Sequence, residues 1–322
     1  MTIQFDGRVA VVTGGGNGLG RDYCLNLAQR GARVVVNDLG GTGAGVGASH
    51  AAADRVVEEI RAAGGQAVAN HDSVATREGG AALIETAMKA FGRVDIVINN
   101  AGFLRNNRFE DLTDEQLDSV INVHLKGAFY VTQPAYRAMK DQGYGRILFT
   151  ASASGMFGHP WQANYGAAKA GLVGLMNVVS LEGQRHGILA NALLPTAATR
   201  LAAEMHEGWM EATNVSSLLG QIDFAAFGET MGVEANTPLV LYLVSEQCSS
   251  THAAYSSVGG RYAKLVVGST DGWSRGPRGL ATPEEVAEHW GEITDVTKFH
   301  QPHSVYEEFI PAIARIKAAA KE

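Results

Sequence analysis

Tyr165 and Lys169 stand four residues apart in Tyr165-Gly166-Ala167-Ala168-Lys169, so on a helix they share one face. That pairing has a chemical use. A free phenol ionises near pH 10, too high for proton exchange at neutral pH. An ammonium ~5 Å away stabilises the phenolate by roughly 3 kcal/mol at an effective dielectric of about 20, equal to about two pKa units. Tyr165 could then act as general acid or base on a hydroxyl or carbonyl oxygen. Ser152, at the end of the preceding strand, could hold the same oxygen as charge develops. A Tyr-x-x-x-Lys spacing alone is common on helices by chance. A second motif upstream lifts it above chance.

That motif is Thr13-Gly14-Gly15-Gly16-Asn17-Gly18-Leu19-Gly20, between a β-branched run and a helix-forming stretch. Glycines at a strand-to-helix turn let backbone approach a pyrophosphate, and the helix N-terminus offers N–H donors and a positive dipole. Gly14, Gly16, Asn17, Gly18, Leu19 and Gly20 are the candidate cofactor contacts. Asp38 ends the second strand about 20 residues on, where such folds place an acid on the ribose hydroxyls. A carboxylate there repels a 2′-phosphate, and neither Arg nor Lys follows it before Arg55, so NAD is favoured over NADP. Asp72 and Ser73 after the third strand, and Asn99, Ala101 and Gly102 after the fourth, end strands that face the same crevice.

The elements that must position these residues are legible as alternation. Val9 to Thr13, Arg33 to Asn37, Gln66 to Asn70, Val94 to Asn99, Arg146 to Ala151 and Ile188 to Leu194 read as strands, most of them continuous apolar runs buried on both faces. Tyr262 to Val267 is a seventh. Between them lie helix-length stretches: Gly18 to Arg30, Ala51 to Ala63, Thr76 to Phe91, Asp114 to Gln142, Gln162 to His186 and Ala235 to Glu246. This order predicts an α/β fold, a Rossmann-like doubly wound parallel sheet of about seven strands with helices on both faces.

Two segments break the pattern. Gly40 to His50 is a glycine-rich insertion, expected as a mobile surface loop. Beyond Gly268 the alternation stops. Thr282-Pro283-Glu284-Glu285 reads as a helix start with a capping box, and Ser304 to Lys321 as a last amphipathic helix. The expected organisation is a catalytic domain over 1–268 and a helical C-terminal extension over 269–322, without a core of its own.

Composition narrows the class. A net charge of −7 and the absence of a basic block argue against nucleic acid as partner. Two distant cysteines, Cys24 and Cys248, make neither a disulfide framework nor a metal motif, and suit a reducing compartment. No apolar run reaches membrane-spanning length, and the first residues lack the basic and apolar regions of a signal peptide. The expectation is a cytoplasmic protein with a small-molecule substrate, no metal and no membrane partner. Glycine is abundant, 39 residues against 8 proline, without a collagen period. The excess falls on the nucleotide turn, the insertion and the joint to the tail.

Taken together, the glycine turn, Asn99-Asn100-Ala101-Gly102, Ser152, Tyr165-x-x-x-Lys169 and Pro195 resemble the short-chain dehydrogenase/reductase family, from about Gly7 to Gly268. The resemblance implies a nicotinamide cofactor and hydride transfer. It implies that Lys169 also binds the nicotinamide ribose, that Pro195 lies in the loop beside the nicotinamide, and that Thr199 holds its carboxamide. It also implies a homodimer or homotetramer, built on the long helices.

A narrower resemblance rests on Val36 to Gly47, Ala69 to Val74, Gly155 to Gly158, Gln162 to Tyr165, and Ala281 to Val286 with Trp290. It points to the (3R)-hydroxyacyl-CoA dehydrogenases of peroxisomal multifunctional enzymes, here in a free-standing form that looks bacterial. Two positions depart from the wider family. His124 stands where Asn usually holds a relay water, and Pro195-Thr196 replaces Pro-Gly. His124 is therefore a candidate proton relay. The expected reaction is NAD-dependent oxidation of a (3R)-3-hydroxyacyl-CoA, with a hydroxysteroid or another bulky secondary alcohol as the alternative substrate. A nucleotide sensor without turnover is the competing class, and the intact Ser152, Tyr165 and Lys169 argue against it. Met156, Phe157, Trp161 and the Ala198 to Phe227 segment are expected to shape the substrate pocket.

Overall fold

The computed structural model describes residues 2–197, 228–276 and 279–319. Contacts divide the chain into two units, one up to Lys264 and one from Leu265 onward.

In the first unit one eight-stranded sheet runs in the order β3-β2-β1-β4-β5-β6-β7-β8. The strands are Val9–Thr13 (β1), Arg33–Asn37 (β2), Gln66–Asn70 (β3), Ile96–Asn99 (β4), Gly145–Thr150 (β5), Ile188–Pro195 (β6), Ala253–Val258 (β7) and Arg261–Leu265 (β8). Pairing from β3 through β7 is parallel throughout, with Val12 opposite both Val36 and Ile98. Every residue of β1, β4 and β5 is buried, as two-sided helix cover requires. The helices are Gly18–Gln29 (α1), Ala51–Ala62 (α2), Arg77–Phe91 (α3), Asp114–Ile121 (α4), Gly127–Gln142 (α5), Ala153–Phe157 (α6), Ala163–Gly183 (α7) and Thr237–Leu243 (α8). Strand order reverses between β1 and β4, which opens a crevice at their carboxyl ends. Both ends are tied there, because the Asn100 and Ala101 amides donate to Thr13 Oγ1 at 2.9 and 3.0 Å.

The structure refines the expected sheet and helices. The sheet has eight strands, and the inner seventh, Ala253–Val258, has no apolar run in its sequence Ala-Ala-Tyr-Ser-Ser-Val to reveal it. The Gly259-Gly260 turn, with φ of 55° and 77°, folds the chain back into β8. The helix expected over Asp114 to Gln142 runs without a gap, but carries a π turn at Asn122–Lys126, where His124 sits. A short helix, α6, follows Ser152. The Gly40 to His50 insertion lies at the surface as expected, with Thr42 and residues 46–50 exposed, and is tied by hydrogen bonds. The Thr42 amide donates to the Val46 carbonyl, the Ser49 amide to the Leu39 carbonyl, and Gly43 is buried.

In the second unit Ser269–Thr270 (β9) pairs antiparallel with Phe299–His300 (β10). Pro283–Glu288 (α9) begins with the expected capping box between Thr282 and Glu285. Trp290–Ile293 (α10) and Val305–Ala319 (α11) follow. Trp273 stacks on His289 at 4.3 Å between ring centroids. None of the described residues of this unit is buried.

Candidate active site

The glycine turn fits a dinucleotide. A Cβ on Gly20 would lie 2.1 Å from the Gly14 carbonyl oxygen, and one on Gly16 would meet Ala52 and Asp38 Oδ2 at 2.8 Å. Gly14 and Gly18 have φ of 63° and 51°, a region other residues adopt with strain. The Asn17 side chain makes no capping hydrogen bond to α1, which leaves the first-turn N–H groups free for an anion. Leu19 packs into the core behind them. Asp38 Oδ2 accepts from the Gly16 amide at 2.8 Å, so the acid sits on the turn itself. Arg55 donates to the Gly16 carbonyl and to Asn17 Oδ1. Asp72 Oδ2 accepts from Asn70, which is itself held by Asn37, while Ser73 turns the chain toward α3. Pro195 ends β6 opposite Ser257. Thr199 and the Ala198 to Phe227 segment lie outside the described residues.

Ser152, Tyr165 and Lys169 are brought together by β5, α6 and α7. Ser152 lies close enough to the Tyr165 phenol to favour its ionised form, and its Oγ accepts from the Ser154 amide as the cap of α6. Lys169 is 3% exposed and donates from Nζ to the Thr150 carbonyl at 2.5 Å. Its Nζ stands 5.4 Å from the Tyr165 ring centroid.

The electrostatics differ from the sequence expectation. Burial pushes the Tyr165 phenol up, and the nearby Ser152 offsets this in part. Burial pushes Lys169 down to about 7. An ammonium in low dielectric is itself disfavoured, and this one is aimed at a carbonyl rather than at the phenolic oxygen. In this arrangement the pair favours neutral Tyr165, the form that donates a proton.

His124 joins the cluster edge-on to Tyr165, with ring centroids 5.2 Å apart. Its Nε2 lies 2.8 Å from the Phe103 carbonyl oxygen and 3.0 Å from the Phe103 amide nitrogen. One tautomer donates to the carbonyl and the other accepts from the amide. Nδ1 is buried without a partner among the described residues, and the ring lines a cavity of about 10 Å³ with Thr13, Asn99 and Lys169, roughly the room one water needs. Burial, followed by the nearby Lys169, holds the imidazole well below its usual pKa, so it is neutral. Gly102, expected beside the cofactor, lies against this ring, and a Cβ there would stand 2.1 Å from His124 Cε1. Asn99 donates to Thr132 at 3.0 Å, and Ala101 is tied to Thr13. Trp161 carries a φ of 65°, rare for a bulky residue, and its ring faces Arg108. The sequence reading missed Phe103 and Thr13. Thr13 opens the glycine motif, whereas nothing in the sequence marks Phe103.

The described residues contain no group of three or more His, Cys, Asp or Glu placed to hold a metal ion, and no described helix is long and apolar enough to cross a membrane. A doubly wound sheet with a dinucleotide turn and a Ser–Tyr–Lys cluster at its switch point defines a nicotinamide-dependent oxidoreductase. The chain belongs to the short chain dehydrogenase family, whose profile matches residues 8–209. Members use NAD or NADP. The chain is 46% identical over 298 residues to peroxisomal multifunctional enzyme type 2 of Drosophila melanogaster, covering 92% of this chain and 46% of that protein. It therefore spans less than half the length of that relative. It is 39% identical over 216 residues to hydroxyacyl-CoA dehydrogenase ChsB1 of Mycobacterium tuberculosis, covering 63% of this chain and 65% of that protein. The solved structure of the full-length Drosophila enzyme superposes with a TM-score of 0.79 at 35% identity, over 98% of this chain and 50% of that one.

Proposed function

We propose that this chain is an NAD-dependent dehydrogenase that converts (3R)-3-hydroxyacyl-CoA to 3-oxoacyl-CoA. The observation that carries the reaction class is the convergence of Ser152, Tyr165 and Lys169 beside a glycine turn occupied by Asp38. The substrate class is supported by likeness to the mycobacterial hydroxyacyl-CoA dehydrogenase and to the multifunctional enzyme. The choice of NAD is supported by Asp38, whose carboxylate would meet a 2′-phosphate with like charge.

The chain's own residues divide the work. Ser152 and Tyr165 hold the substrate oxygen, and Tyr165 moves the proton to or from it. In oxidation the O–H proton passes to the Tyr165 oxygen as the carbinol C–H bond breaks. The chemistry supplied by the bound cofactor is acceptance of the hydride from that carbon. Lys169 would hold the cofactor ribose, and His124 would carry protons between the cluster and its cavity. Gly14, Gly16, Gly18 and Gly20 would admit the pyrophosphate, and Asp72 and Asn99 stand at strand ends of the same crevice.

Purified protein supplied with (3R)-3-hydroxyacyl-CoA and NAD is expected to form NADH, and Tyr165→Phe to lower turnover by about a hundredfold or more. Absence of turnover with every (3R)-3-hydroxyacyl-CoA tried, alongside turnover of a hydroxysteroid, would overturn the substrate assignment. Unchanged turnover in Tyr165→Phe would overturn the mechanism.

A further inference from the structure

The glycine-rich insertion ends far from the nucleotide in sequence terms, yet its contacts lead to the catalytic cluster. Its first residue is tied to the ribose-binding acid, because the Gly40 amide donates to Asp38 Oδ1 at 2.7 Å. Its far end lies on the segment that leaves β4. The Leu104 amide donates to the Gly43 carbonyl, and Arg105 Nε donates to the Ala44 carbonyl, both at 3.2 Å. Between these ties Gly45, with φ of 72°, rests on the Phe103 ring. A Cβ on Gly45 would stand 2.7 Å from Phe103 Cδ1. Phe103 is 8% exposed and packs on its other side with Val120 and Ala168, a cluster that Tyr165 also joins. Its main chain supplies both groups within reach of His124 Nε2, and its ring lies edge-on to the imidazole at 5.9 Å.

We propose that the insertion Gly40–Gly47 is a positioning element of the catalytic centre: through Gly45 it seats Phe103, whose main chain holds His124 beside Tyr165. Phe103 is thus a positioning residue, acting through His124. The loop that carries it is anchored on the same acid that faces the cofactor ribose. Only glycine fits at Gly45, because any side chain there would push the Phe103 ring, and with it the hydrogen bonds on His124. A misplacement near 1 Å in a catalytic group lowers rates by about a hundredfold. This inference rests on the proposed role of Tyr165 and His124.

The test compares Gly45→Ala, Phe103→Leu, the double variant, and Arg105→Ala, which removes the guanidinium that ties the Ala44 carbonyl, stacks over the Phe103 ring and pairs with Glu115. Steady-state NAD reduction with (3R)-3-hydroxyacyl-CoA gives kcat and the KM for NAD. Proton–nitrogen NMR of the His124 imidazole gives a readout independent of turnover. Gly45→Ala is expected to lower kcat about tenfold or more, with the KM for NAD changed less than about twofold, and to displace the His124 resonances. Leucine at 103 gives the new methyl room, so the double variant should recover most of the loss. Arg105→Ala should lower kcat in the same direction by less, and it decides the matter if Gly45→Ala does not fold. Unmoved His124 resonances in the variants, or equal losses from Gly45→Ala in both backgrounds, would overturn the inference. If Tyr165→Phe abolishes turnover while Gly45→Ala spares it, only this inference fails. If the native protein turns over no acyl-CoA, the substrate reading fails and the NMR comparison still decides.

Discussion

At the residue scale, Lys169 is 3% exposed, donates to the Thr150 carbonyl, and is pushed down to about 7 by burial. In an unfolded chain a lysine titrates near 10.4. Between about pH 7 and 10.4 the unfolded state therefore binds more protons than the folded one, so stability rises with pH across that window. Below it, the folded protein holds a desolvated ammonium at full cost. Lys169→Met is expected to raise Tm at pH 7, to flatten the stability-against-pH slope above it, and to abolish turnover. Thermal unfolding of both proteins at several pH values checks this, and a lower Tm in the variant would contradict it. Tyr165 gives a second expectation. Its raised pKa keeps the phenol protonated at neutral pH, so reduction of a 3-oxoacyl-CoA needs no prior ionisation, whereas oxidation needs the phenolate. Oxidation should accelerate as pH rises and reduction should slow, which initial rates in both directions across pH 6 to about 10 will show.

At the element scale, the π turn at Asn122–Lys126 inserts an additional residue into the long helix, and it delivers His124 under the strand-end loop. The loop answers with a glycine. Gly102 serves the imidazole directly, since a Cβ there would overlap the ring. Gly102→Ala is expected to displace His124 and lower kcat about tenfold. In a His124→Ala background the same substitution should add little, because the clash is gone. Additive losses in that double-mutant cycle would show that Gly102 acts on something else.

At the scale of the whole molecule, α5 and α7 leave large apolar side chains in solvent. Phe129 is 40% exposed, Val178 54% and Leu181 45%, beside a groove lined by Tyr136 and Leu175. We propose a second copy of this chain as the occupant, through an interface in which the same helices meet about a two-fold axis. Val178→Glu together with Phe129→Glu is expected to shift the protein to monomer in analytical ultracentrifugation, with its far-ultraviolet spectrum unchanged. A native protein that sediments as a monomer would refute this.

Much of the site could be read from residue types because its chemistry depends on local spacing. A strand-to-helix glycine turn, an acid at the next strand end and a four-residue Tyr–Lys interval are short-range patterns, and the sheet places each where its neighbours in sequence demand. The parallel core was legible for the same reason, as continuous apolar runs in β1, β2 and β4. Tertiary structure decided what depends on segments distant in the chain. Strand β7 is made by pairing with β6 rather than by its own small and polar residues. The ionisation of Tyr165 and Lys169 follows from burial, which spacing does not report. The contact of Gly45 with Phe103, and of Phe103 with His124, joins three segments that share no pattern. The sequence by itself determined the chemical groups and the sheet that carries them, because these are set within a turn or a strand. Only the fold decided their charge states and their supports, because desolvation and packing arise where remote parts of the chain meet.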